Sequence, residues 1–262
     1  MAKPACSSYD FIYYKLKRSW LSLTVSGLVD TFLLAGTGEY YEKSLSLSQT
    51  VGDRRSEAIA LYNLSLVYLE QLCLDVTEEY TTRYLMISRS IGNRLAEAYA
   101  PNILGSIRLQ QGLYSEAEAM YQQGLKIAQE NDWGVVVQLS RVTLGDLQLY
   151  RWLRERQPAW LEAAIQQYDQ VLAIPHSNLG GECYAHLALA HHFASRREPA
   201  LEALQLGLQH VDASAVMDHK WLELAAAAID GQSLDTLRQW FDQHACYRAC
   251  AFIDCLSDVQ KP

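Results

Sequence analysis

Shifted against itself by forty residues, the chain lays Leu64-Ser65 over Leu104-Gly105, and both over Leu144-Gly145. The same shift stacks Leu45, Leu85 and Leu125, and likewise Leu47, Ile87 and Ile127. The junctions repeat as well: Val51-Gly52-Asp53-Arg54 falls on Ile91-Gly92-Asn93-Arg94, and Glu57-Ala58 on Glu97-Ala98. A unit of this length is one supersecondary element that cannot bury its apolar face alone. Neighbouring copies must therefore stack to build a continuous core. Residues 94–130 are the clearest copy, two amphipathic helices joined by the turn Gln111-Gly112-Leu113-Tyr114. Gly105 and Ala117 fall where the two helices approach closely, while Leu104, Leu109, Tyr121 and Leu125 supply apolar ridges. The expected class is all-α, a stack of about five to six helical hairpins.

Composition narrows the function classes. At 50% hydrophobic and 20% charged residues, the chain can afford a packed core and is not a disordered segment. The formal net charge of -8 comes without a basic stripe, which disfavours binding to nucleic-acid phosphates. A basic or apolar polypeptide segment is the better-matched partner. Cys6, Cys73 and Cys183 are scattered, which suits a reducing, cytoplasmic setting over a disulfide framework.

Taken in order, residues 1–35 fit the repeat least well and form a divergent N-terminal segment. Lys15, Lys17 and Arg18 precede an apolar run, but Tyr13 and Tyr14 crowd the basic part and Asp30 interrupts the run. A membrane role is disfavoured on those grounds. Residues 20–34 are instead expected as the first helix of a degenerate hairpin, with Gly36-Thr37-Gly38 as its turn and 39–51 as its second helix. The repeat array spans 36–243. Its second pair is 56–72 with 77–91, joined without a glycine, so that Asp75 or Thr77 is expected to cap the later helix. Pro101 falls inside a helix and is expected to kink it. The motif at Tyr121-Gln122-Gln123-Gly124-Leu125 returns at Tyr168-Asp169-Gln170-Val171-Leu172, forty-seven residues on. Seven extra residues near 153–159 therefore either lengthen the helices or form a charged loop. Pro175-His176-Ser177-Asn178 breaks the chain before a fifth pair, 182–195 with 199–210. A shortened sixth pair, 221–229 with 234–241, precedes a helix in 244–262 that is expected to cap the end of the stack.

The chemical candidates are few. Cys246, Cys250, Cys255 and His244 are the one cluster of soft ligands, but they lack a Cys-x2-Cys pair and four convergent donors. Buried thiols are expected there. His186, His191 and His192 lack zinc-binding spacing. Asn63-Leu64-Ser65 reads as packing, not as a glycosylation site. No phosphate-binding loop, nucleophile elbow or paired-carboxylate motif is present, so no enzyme, metal or cofactor is expected.

Leu104-Gly105, the turn Gly112-Leu113-Tyr114, and Ala117 followed by Tyr121 resemble the tetratricopeptide (TPR) repeat. The forty-residue spacing with its Gly-Asp/Asn-Arg junction is similar to the longer variant of Pins/LGN-type scaffolds and bacterial TPR signalling regions. The resemblance covers residues 39–138 best and extends to 209. It implies a right-handed superhelical solenoid whose first helices line a concave groove. Carried over by register, the groove positions are Tyr62, Leu66, Tyr99, Asn102, Ser106, Leu139, Val142, Asp146, Leu149, Glu182, Ala185, Leu189 and His192. The Lys, Arg and Asn set with which some TPR domains clamp a terminal carboxylate is largely missing. Asn102 is expected to hydrogen-bond a partner's backbone. The function implied is a cytoplasmic protein–protein interaction scaffold or adaptor that binds a partner peptide or helix. The alternative is a regulatory sensor region controlling an effector enzyme or transcription factor. Self-assembly into a homo-oligomer ranks below both.

Overall fold

The computed structural model of the protein describes residues 34–173, 180–212 and 215–260. Those residues form twelve helices and no strand. In chain order they are α1 (Leu34–Val51), α2 (Arg54–Glu70), α3 (Leu74–Ser90), α4 (Ala96–Gln110), α5 (Tyr114–Glu130) and α6 (Gly134–Glu155). There follow α7 (Pro158–Leu172), α8 (Gly181–Phe193), α9 (Arg197–His210), α10 (Val216–Ile229), α11 (Asp235–Gln243) and α12 (Tyr247–Gln260).

Helix after helix ends in the same way, which is why the connections are so short. The residue past the cap takes the left-handed conformation, and the next N–H donates back to a carbonyl in the last turn. Gly52, Gly92, Gly112 and Gly231 hold this position without steric penalty; Leu72, Asp132, Ser195 and Ala245 hold it with one. The closing bonds include Asp53 N–H to the Ser48 carbonyl, Leu113 to Arg108 and Arg196 to His191, all at 2.8–2.9 Å. The turn after α2 thus lacks glycine because Leu72 takes its place. Cys73 precedes α3, and neither Asp75 nor Thr77 caps it from outside. Thr77 lies within the first turn, its hydroxyl donating to the Cys73 carbonyl at 3.0 Å.

Each hairpin is close-packed. α2 lies on α3, α4 on α5, α6 on α7 and α8 on α9, and each pair packs against the next. The even-numbered helices also touch one another in succession, from α2 through α4, α6 and α8 to α10, whereas the odd-numbered ones make no comparable contact among the described residues. The even helices therefore form an inner layer and the odd helices an outer one. Burial follows this division. Residues 181–190 of α8 are buried on every side, while α5 buries only Ala117, Tyr121, Gly124 and Ala128. A helix apolar all round needs neighbours all round.

Several expectations are corrected. Gly36-Thr37-Gly38 is not a turn: it lies within α1, where a Cβ on Gly38 would sit 3.7 Å from Val67, an ordinary contact distance. The extra residues after Leu149 lengthen α6 to 22 residues, against 15 in α4 and 17 in α2, and only Arg156 and Gln157 separate it from α7. The charged loop does not form. The sixth pair is rearranged, because α10 packs along α8 while α11 pairs with α12. The segment 20–33 and the break at Pro175-His176-Ser177-Asn178 lie outside the described residues. No described helix is long and apolar enough to cross a membrane.

The inner layer begins in a tyrosine cluster. The Tyr62 ring lies 5.3 Å from Tyr84 and 5.5 Å from Tyr99, and all three are buried. Burial pushes the Tyr99 phenol up to about 12 and raises Tyr62 and Tyr84 further. An unfolded tyrosine ionises near pH 10, so the folded state binds the extra protons between the two values. The cluster's contribution is complete below about pH 10 and is lost as pH rises through about 12. Absorbance at 295 nm should therefore show these phenols ionising only as helical circular dichroism collapses. Full tyrosine ionisation near pH 10 with intact helicity would contradict this.

Candidate functional site

The C-terminal helix packs on the face of the inner helices, against Trp221 of α10 and beyond it. α12 reaches back to touch α2 and α6 of the inner layer, which brings together residues far apart in the sequence. Its sequence explains the choice. Ala249, Phe252, Ile253 and Leu256 make one apolar stripe, fully covered in the fold. Arg248 heads that stripe and is carried inside with it, leaving its side chain only 12% exposed.

The guanidinium of Arg248 joins two carboxylates. Its Nε donates to Glu70 Oε1 at 2.7 Å, and Nη2 donates to both oxygens of Glu182 at 2.7 and 2.9 Å. Glu70 closes α2 and Glu182 opens α8, and Arg248 is 178 residues from the first. Burial opposes the charge on Arg248, but Glu182 and Glu70 outweigh it and hold the group protonated well above its ordinary range. Burial also raises the Glu70 carboxyl; Arg248 pulls it back only in part, and Glu182 adds to the rise. The guanidinium is further set 5.9 Å from the Trp221 ring.

One turn along α12, Phe252 packs onto the inner layer, against α6, α8 and α10. Its ring lies 4.7 Å from His186, 5.1 Å from Tyr150 and 5.7 Å from Trp221. Beneath it, Asp146 Oδ1 accepts the Tyr168 hydroxyl at 2.7 Å and faces His186 Nδ1 at 2.8 Å. His186 Nε2 and the Tyr150 hydroxyl are buried without a hydrogen-bond partner among the described residues.

Asp146, Glu182 and His186 could offer three ligand atoms within 4.8 Å of one another. These donors are already engaged, Glu182 by Arg248 and Asp146 by Tyr168 and His186. A guanidinium bound to one member also repels a cation. The group reads as a hydrogen-bonded support for the helix seat and not as a metal centre. The C-terminal cysteines do not converge with His244 into such a group. Cys246 and Cys250 are buried, and burial raises both thiols and that of Cys255, which keeps them protonated.

The positions expected to line a groove are distributed differently. Glu182 and Asp146 belong to the site just described. Leu149, Ala185 and Leu189 are fully buried, Leu66 and Val142 nearly so, and Tyr62 and Tyr99 share the tyrosine cluster. Asn102 does not face outward: its Nδ2 donates to the Ala98 carbonyl at 2.8 Å, and its Oδ1 accepts from Thr143 at 3.3 Å. Ser106 is half-buried, 3.0 Å from the Tyr121 hydroxyl. Leu139 is also half-buried, and His192 packs beside Phe193, its imidazole held below its usual range by burial. Glu70, Tyr150, Arg248 and Phe252 were missed by sequence reasoning. The available signal was a single arginine in the first turn of an amphipathic helix, beside its apolar stripe, which says nothing of its acidic partners.

No protein-family model matches the chain, and no curated protein is significantly similar to it in sequence.

Proposed function

We propose that the chain is a TPR-like superhelical solenoid serving as a cytoplasmic protein–protein interaction scaffold, with the inner layer seating a partner's helix or peptide. The forty-residue register supports this reading. So does the asymmetry in which even-numbered helices meet one another and odd-numbered ones do not, since a curved stack crowds the helices on its concave side. The observation that carries the reading is α12 itself, an amphipathic helix already seated on that layer by Arg248 and Phe252. A surface with acidic anchors and an aromatic floor is suited to helix-in-groove recognition. Control of an effector enzyme or transcription factor is the second reading, favoured by the same closure of the face from within.

The test is chemical cross-linking of the full-length chain to partners captured from its native lysate, mapped by mass spectrometry. Cross-links from a partner to α2, α4, α6 or α8 are expected. Partners joined only to the outer helices α3, α5, α7 and α9 would overturn the proposal.

A further inference from the structure

We infer that α12 is a displaceable internal ligand, and that the inner layer recognises in trans an amphipathic helix carrying an arginine with an aromatic residue one turn later. This inference rests on the scaffold reading above and adds the chemistry of the partner. Glu70 and Glu182 present two buried carboxylates to one guanidinium, so the seat is acidic and selects a cationic head group able to bridge them. Arg248 and Phe252, spaced four residues apart, fall on one helix face and occupy the acidic and aromatic parts of the seat together.

Three observations make α12 a removable occupant. Beside its apolar stripe, it is held by a buried ion cluster, whose desolvation cost offsets much of its attraction. Under the Phe252 ring, the Tyr150 hydroxyl and His186 Nε2 are buried without a partner among the described residues, which favours opening of the seat. It is also tied into a separable unit with α11. Arg238 holds Asp254 through two bonds at 2.6 and 3.2 Å, and the Cys250 thiol points to the Arg238 carbonyl. The α11–α12 hairpin is joined to α10 by the turn at Gly231, whose φ is 67°. It can leave as a whole while the pairs α2–α3 to α8–α9 keep their mutual packing. A tethered occupant holds the seat at high effective concentration, so a partner in trans competes only by matching both anchors.

The probe is a fluorescent synthetic peptide with the sequence of α12, kept reduced, titrated against the full-length chain. A chain bearing Arg248→Glu, whose own α12 is expelled by three facing carboxylates, should bind it at least about tenfold more tightly than the wild type. The peptide carrying the same Arg248→Glu change should not bind. An Arg248→Glu chain that keeps its helicity and binds neither peptide would overturn the inference. Hydrogen exchange of the wild-type chain decides the matter without any variant. Amides of α12 should exchange at least about tenfold faster than those of α6 and α8, through opening of the last hairpin alone. Equal protection in all three would make α12 a permanent part of the core and sink the inference. Partner cross-links confined to the outer helices would instead remove the scaffold reading while leaving a peptide-exchanging seat.

Discussion

Replacing Arg248 by methionine is expected to cost about 3–5 kcal/mol in urea denaturation, although the aliphatic stem is kept. The loss is electrostatic. Arg248 is the shared partner of Glu70 and Glu182, whose side chains are only 7% and 8% exposed, and without it two carboxylates are left buried side by side. One route open to the protein is to undock α12 and let water reach the acids; the other is to protonate one of them. The deficit should therefore shrink as pH falls toward the carboxylate range, since burial already favours the neutral form of Glu70. Replacing the cluster as a unit, with Glu70→Leu and Glu182→Leu added to Arg248→Met, should recover most of the loss. A loss below about 1 kcal/mol for Arg248→Met alone would mean that the ions are screened as surface pairs are.

Gly145→Ala is expected to destabilise the protein by about 1–2 kcal/mol, against the direction of helix propensity, which favours alanine by about 1 kcal/mol. The reason is the Tyr168 ring. A Cβ at Gly145 would lie 2.6 Å from Cε1 and 2.8 Å from Cζ of that ring. Tyr168 is fully buried, and its hydroxyl is fixed to Asp146, which in turn faces His186. The ring cannot retreat without breaking that chain of contacts and loosening the floor beneath Phe252. Tyr168→Leu in the same chain should relieve the clash, so the double variant should lose less than the sum of the two single losses. Thermal melts of the four proteins give the answer. An alanine variant as stable as wild type, or more so, would show that the α6–α7 contact can relax.

Much of the helical framework was legible in the chain because its determinants are local. The forty-residue recurrence of Leu-Gly pairs, tyrosines and turn residues marks pairs from 56–72 through to 199–210, and helices form close to those positions. Gly105 was legible as a close-approach position, and the structure puts Tyr121 against it as it puts Tyr168 against Gly145. Local signals were weaker where two physical solutions compete. Two glycines at 36 and 38 suggested a turn, but α1 runs through them and packs Gly38 near Val67. The insertion could extend a helix or loop out, and continued pairing of α6 with α7 accompanies the longer helix.

The site depended on tertiary structure. A rotation of roughly 100° separates adjacent residues on a helix, so a family register cannot say whether Asn102 faces a groove or the next helix. Packing against α5 and α6 places its amide inside, near Gly124 and bonded to Thr143. The path of α12 was still less accessible. Its periodicity showed that one face must be buried, but not against what. By itself, then, the sequence determined an all-helical chain of repeated pairs, because hydrophobic period and turn chemistry act over a few residues. Only the tertiary structure decided that Arg248 meets Glu70 and Glu182, because charge pairing across 178 residues depends on how the intervening helices pack.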